Sequence, residues 1–346
     1  IPGGLVVSNL GACALFAAMS GSSPATCAAI GKMGIPEMRK RNFPDGVAAG
    51  SIAAGGTLGI LIPPSITMIV YGIATETSIG RLFLAGVLPG LLLVSLFMAW
   101  SIYATWREGG IDALAGRTFT WKEKFEVLPR VIPFLLVILG VLYALYGGVA
   151  TPSETAAVGA LLCLGLAIII YRMTDLSLVW VMLRDATKES VMILFIIGAA
   201  GVFSYMLSSL FITQAIAEWI GTLDVNRWVL MLYVNVFLLV AGFFLPPVAV
   251  ILMAAPILMP IILGAGFDPY WFAVVLTINM EIGLISPPVG LNLYVINGIA
   301  PEIPLKTILK GSLPYVACMV VAILILCLFP GIATWLPDVL MGTAVS

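Results

Sequence analysis

Histidine is absent from all 346 residues. Its absence excludes histidine metal sites, Ser-His and Cys-His catalytic pairs, and proton relays through imidazole. Charge is scarce as well. Asp, Glu, Lys and Arg make up 10% of the chain, against about 25% in an ordinary soluble domain. The net charge of −1 argues against nucleic acid as a partner. The five cysteines (Cys13, Cys27, Cys163, Cys318 and Cys327) form no CxxC pair. In their apolar contexts they read as small buried hydrophobes. No arginine falls within an apolar span, so an arginine clamp for a carboxylate is not evident.

What fills the chain instead is apolar. Hydrophobic residues make up 61%, and the mean hydropathy is +1.14. Apolar runs of span length recur, which points to an all-α polytopic membrane protein rather than a β-barrel. Full-length spans are expected at 82–104, 131–149, 153–171, 189–208 and 311–330. Basic residues cluster at 39–41, 105–130, 172–188 and 306–310. All of these fall on one side if the segments between them cross the bilayer in turn. Arg81 and Arg227 are the exceptions, on the opposite side. The chain begins at Ile1, without methionine or a basic leader, so a truncated N-terminus is expected.

Two blocks do not fit simple spans. Residues 5–38 hold two apolar arms around SGSSPA, and residues 228–263 hold two arms around FLPPVA. The topology requires the flanks of each block to share a side, so both read as re-entrant hairpins. Each is followed by a crossing with two adjacent prolines at its middle, GTLGILIPPS in 47–74 and EIGLISPPVG in 270–299. A shift of 224 residues superposes Gly59 on Gly283 and Pro63-Pro64 on Pro287-Pro288. The order hairpin, broken crossing, Gly-Ile-Ala, glutamate occurs twice. The two copies enter from opposite faces, an inverted repeat of the kind that secondary transporters use. Extending the repeat upstream leaves roughly 90 residues of scaffold before Ile1 unaccounted for.

Breaking a membrane helix has a chemical purpose. Pro-Pro ends the helix and leaves an unwound linker. The linker offers carbonyl oxygens, which suit a hard cation such as Na⁺. The second half-helix offers free N–H groups and a positive dipole end, which suit an anion. Ser20, Ser22 and Ser23 lie at the first hairpin tip, as cation ligands or as small residues for close packing. Gly56, Thr57 and Gly59 precede the first break; Gly283 and Ser286 precede the second, and Gly242 lies near the second tip. They carry the same two alternatives. Glu281 is a carboxylate in an otherwise apolar crossing, either functional or a cap for the unwound backbone. Asn292 follows the second break and either faces a cavity or bonds across helices.

The stretches IPGGL (1–5), AAMSGSSPA (17–25), GTLGILIPPS (56–65), APILMPI (255–261) and NMEIGLISPPVGLNLYV (279–295) carry a resemblance over nearly the whole chain. They resemble the large membrane subunit of tripartite ATP-independent periplasmic (TRAP) transporters, the group often labelled the C4-dicarboxylate type. The resemblance implies an elevator-type fold in the bacterial inner membrane, driven by Na⁺ without ATP. It implies two partners, a periplasmic substrate-binding protein and a small four-helix membrane subunit. Sodium sites carried over fall near Ser20 and Ser22, with Gly56 and Gly59, and at Gly242, Gly283 and Ser286. Ser23, Thr57, Pro63, Ser65, Glu281, Pro287 and Asn292 are the expected lining of the substrate cavity. No cofactor other than the coupling ion is implied.

The chain is then expected to divide in five. Residues 1–104 form the transport part of the first repeat, with hairpin 5–38, broken helix 47–74 and helix 82–104. Residues 105–130 form a cytoplasmic amphipathic connection, and 131–226 the scaffold helices of the second repeat. Residues 227–330 form its transport part, with hairpin 228–263, broken helix 270–299 and helix 311–330, and 331–346 form a tail. Two rivals were weighed. A hairpin-serine hydrolase lacks a base, since no histidine exists and Lys32 falls at the membrane edge. An ion channel with two re-entrant pore loops remains the alternative, and the inverted repeat fits alternating access better.

Overall fold

The structure, a computed structural model, describes residues 4–107, 121–146, 149–173, 175–212, 215, 218 and 225–342. The expected connection at 105–130 falls partly outside them, as do the end of the 131–226 stretch and the last residues of the tail. Among the described residues all regular structure is helical. Six helices are long and apolar enough to cross a membrane, and the chain is a multi-pass membrane protein.

Helices α1 (Gly4–Ser20) and α2 (Ser23–Lys40) pack against each other through a two-residue link. Gly21 makes the turn at φ +60°, its N–H bonded to Ala17 O at 3.0 Å. Pro24 sits in the first turn of α2, where its missing N–H costs nothing. Next, α3 (Asp45–Thr57) runs into a 3₁₀ turn at Leu58–Ile60 and stops at Pro63-Pro64, and α4 (Ile66–Thr75) resumes the path. The long α5 (Ile79–Arg107) follows.

The chain divides into two compact units, Arg117–Gly198 and the remainder. In the smaller unit α6 (Trp121–Tyr146) packs on α7 (Pro152–Tyr171). A capping box starts α7. Thr151 Oγ1 accepts from Glu154 N at 3.3 Å, and Glu154 Oε2 accepts from Thr151 N at 2.8 Å. Helix α8 (Leu176–Ser209) has 34 residues, about 51 Å at 1.5 Å per residue. It begins inside the segment expected as a basic loop at 172–188.

A second pair, α9 (Arg227–Phe244) and α10 (Pro247–Gly264), is joined at Leu245-Pro246. Asp268 caps α11 (Pro269–Leu284), its Oδ1 accepting from Tyr270 N and Trp271 N at 2.8 Å each. That helix stops before Pro287-Pro288, and α12 (Leu291–Ile299) resumes after Gly290. The Pro63-Pro64 and Pro287-Pro288 bonds are cis. Two helices close the chain, α13 (Leu305–Leu328) and α14 (Gly331–Met341). The latter occupies the segment expected as a tail and packs on α5.

The larger unit is built around α3, in which every residue from Ala48 to Thr57 is buried. The run AAGSIAAGGT is small on all faces, so neighbours approach from every side. The closest approach is to α13, where a Cβ on Gly50 would collide with the backbone of Gly311. The same pairings occur twice. Each hairpin's second arm packs on the far half-helix of the other copy, α2 on α12 and α10 on α4. Each near half-helix packs on the last long helix of the other copy, α3 on α13 and α11 on α5.

Candidate functional site

The structure brings Ser20, Ser22 and Gly59 together at the first hairpin tip, and Gly242 and Gly283 together near the second. At the first, the backbone of the broken segment lies against the tip itself. A Cβ on Gly59 would lie 2.6 Å from Ser22 O and 2.8 Å from Thr26 Oγ1. Ile66 N, just past the break, donates to Gly21 O at 3.4 Å. Ser22 O accepts from Thr26 N at 3.1 Å, from Thr26 Oγ1 at 2.9 Å and from Ser20 Oγ at 3.3 Å. Ser20 Oγ and Thr26 Oγ1 lie 2.9 Å apart. A nest of hydroxyl and carbonyl oxygens therefore faces the end of the near half-helix. Thr26 was missed from sequence. The signal was its place four residues after Ser22, where a hydroxyl bonds back to the i−4 carbonyl.

The second cluster repeats the contact. A Cβ on Gly283 would collide with the carbonyl of Gly242, and Val289 N donates to Phe243 O at 3.3 Å. Ser286 is buried, its N–H directed at Gly283 O at 3.4 Å. Asn279 fixes α11 to α9, donating to Asn235 Oδ1 at 2.5 Å and to Val275 O at 3.0 Å.

The two clusters differ in cover. Pro63 is buried, whereas Pro287 is exposed. Beside the second break lies a cavity of about 260 Å³ lined by Pro287, Pro288, Val289, Leu293, Tyr294, Leu305, Lys306 and Leu309. The linkers also differ. Ser65 caps α4 by accepting from Met68 N at 3.3 Å, and Ser65 and Thr67 satisfy Ile60 O at 2.5 and 2.9 Å. Thr57 Oγ1 donates within its own helix, to Ala54 O at 2.7 Å. Gly56 lies against Cys27.

Three residues take places that composition did not reveal. Glu281 is fully buried and neither carboxylate oxygen has a hydrogen-bond partner among the described residues. The 200° turn from 281 to 283 sets it across α11 from the Gly242 contact. Asn292 reaches into the other copy, donating to Ser23 Oγ at 2.8 Å and Ala53 O at 3.1 Å. Arg81, which the charge count sets on the side opposite the basic clusters, is 8% exposed. It bonds Asp338 Oδ1 of α14 at 2.5 Å and lies over the Tyr270 ring.

Carbonyls and hydroxyls converging at a break suit a small hard cation and offer no nucleophile–base pair. The family profile described as "Tripartite ATP-independent periplasmic transporter, DctM component" matches residues 1–332. The C4-dicarboxylate TRAP transporter large permease protein DctM of Pseudomonas aeruginosa is 41% identical over 338 residues, 98% of this chain and 78% of that protein. The protein of the same name from Vibrio cholerae is 40% identical over 361 residues, 98% of this chain and 79% of that one. The sialic acid TRAP transporter large permease protein SiaM of Vibrio cholerae is 31% identical over 342 residues, covering 99% and 79%. These relatives are permeases rather than enzymes, and the match runs through both hairpins and both breaks. The chain belongs to the DctM component family of tripartite ATP-independent periplasmic transporters.

Proposed function

We propose that the chain imports a small organic acid across the bacterial inner membrane, driven by a Na⁺ gradient. The family supports secondary transport of organic acids. The finer reading rests on one observation, that each hairpin tip is pressed onto the broken helix of its own copy at a glycine. Ser22 meets Gly59, and Gly242 meets Gly283. In this reading the two clusters hold Na⁺ and the far half-helices direct their N-termini at the anion.

Within organic acids, C4-dicarboxylates are the class this reading favours, since the relatives at 40 and 41% identity are both named for them. A periplasmic binding protein delivers the substrate, and a small membrane subunit stands beside the large one. Both hairpins are re-entrant, and the larger compact unit moves as an elevator.

The test is uptake into proteoliposomes of the full-length subunit with its small partner and binding protein. Radiolabelled succinate, fumarate and malate are supplied with and without an inward Na⁺ gradient. Uptake should need both Na⁺ and the binding protein, and should fall to background in Gly283→Val and strongly in Ser286→Ala. Uptake indifferent to Na⁺ overturns the cation reading of the two clusters.

A further inference from the structure

The two clusters are joined by one side chain. Asn292 is the second residue of α12, two positions after the linker of the second break ends at Gly290. It is fully buried. Its amide reaches out of its own copy: Nδ2 donates to Ser23 Oγ, the first residue of α2, and to Ala53 O, in the body of α3. Ser23 is bonded in sequence to Ser22, whose carbonyl touches Gly59 and gathers the first oxygen nest.

The orientation of this amide follows from its partners. A main-chain carbonyl only accepts, so the NH₂ group must face Ala53. Both donors are thereby committed to the first copy. The oxygen is left buried with no hydrogen-bond partner among the described residues, an unfavourable state for an acceptor. Leucine in that place would remove the unmatched oxygen together with both bonds. In some folds a buried polar side chain of this kind sets register between parts at a cost in raw stability.

The other copy makes its corresponding tie elsewhere. Tyr71 of α4 donates to Pro269 O at 2.9 Å and meets Met259 Sδ at 3.1 Å. These partners lie at the start of α11 and late in α10, far along the chain from the second tip. Among the described residues only Asn292 makes a side-chain hydrogen bond from a far half-helix to the first turn of the other copy's second arm.

We propose that Asn292 is a positioning residue that couples the two ion sites, an inference that rests on the Na⁺ reading given above. A cation drawn into the first nest takes hold of Ser22 O and Ser20 Oγ. The adjoining Ser23 hydroxyl shifts, and Asn292 carries that shift to the start of α12 and so to the second linker. Such coupling is reciprocal: where occupancy at one break favours the other, the reverse holds by the same factor.

Equilibrium binding of ²²Na⁺ to the full-length subunit with its small partner in lipid nanodiscs tests this without a transported substrate. Wild type should bind with a Hill coefficient above 1. Asn292→Ala should lower it to 1 and raise half-saturating Na⁺ by about fivefold or more, with the number of ions bound unchanged. Ser23→Ala removes the partner hydroxyl with little risk to folding. It should give the same shift, and the double variant should add nothing further. Tyr71→Phe, which cuts the other tie, should leave the Hill coefficient as in wild type. An Asn292→Ala isotherm that superimposes on wild type, or additive effects of the two substitutions, overturns the coupling. The absence of any saturable ²²Na⁺ binding in wild type overturns the Na⁺ reading itself.

Discussion

At the scale of single residues, the glycines at the breaks are defined by what is absent. The space a methyl group would take on Gly59 is filled by Ser22 O and Thr26 Oγ1. Gly59→Ala must push the tip away from the break. Overpacking of this kind costs about 1–3 kcal/mol, which would weaken apparent Na⁺ affinity by about 5- to 150-fold. Uptake measured against Na⁺ concentration checks it, and an unchanged half-maximal concentration would remove Gly59 from the site. Arg81 makes a second case. Its guanidinium is buried, and Asp338 is its charged partner. Asp338→Ala should cost about 1–3 kcal/mol. Thermal unfolding in detergent reads that loss. The pair Arg81→Met with Asp338→Leu should recover most of it, because the desolvated charge goes as well. The glycines were legible in sequence because a doubled motif marked them. Arg81 with Asp338 was not, because 257 positions separate the partners and no local pattern links them.

Among elements, what decides the fold is how near the backbones come. The α3–α13 contact has no side chain between Gly46, Gly50 and Gly311. Gly311→Val should therefore separate the helices and lower stability by about 1–3 kcal/mol or more, seen as a lower unfolding temperature in detergent. The same valine at Gly298, where nothing lies within 4 Å of a new Cβ, should have little effect. The breaks and the second hairpin could be read from sequence because their prolines are doubled and act locally, whereas the single Pro36, Pro89, Pro256, Pro260, Pro314 and Pro337 stand inside helices. The exchange of partners between copies could not, since apolar faces do not name their neighbours. Charge misled in one place. Arg184 and Lys188 marked a loop in sequence, yet they lie within α8. Both are exposed there, so the helix continues without burying either charge.

For the molecule as a whole, the charge-derived topology sets a condition on which ends meet. Residues 39, 45 and 302 must share one face, and residues 81, 227, 268 and 338 the other. Arg39 does pair with Asp45 at 3.0 Å and with Glu302. Arg81 pairs with Asp338, and Arg227, Asp268 and Asp338 line one cavity of about 270 Å³. Each of these contacts joins ends that the charge count places together. The topology itself is checked by single cysteines on a cysteine-free background, labelled with a membrane-impermeant maleimide. Lys40→Cys and Thr77→Cys flank the first broken helix, and Ala265→Cys and Glu302→Cys flank the second. Within each pair one cysteine should react from outside and the other only after permeabilisation, with Thr77→Cys and Ala265→Cys the external ones. Val225→Cys, on the far flank of the second hairpin, should react like Ala265→Cys. If Lys40→Cys and Thr77→Cys reacted from the same side, the first broken helix would not cross the bilayer. The two copies would then not be inverted, and alternating access about the two breaks would lose its geometric basis.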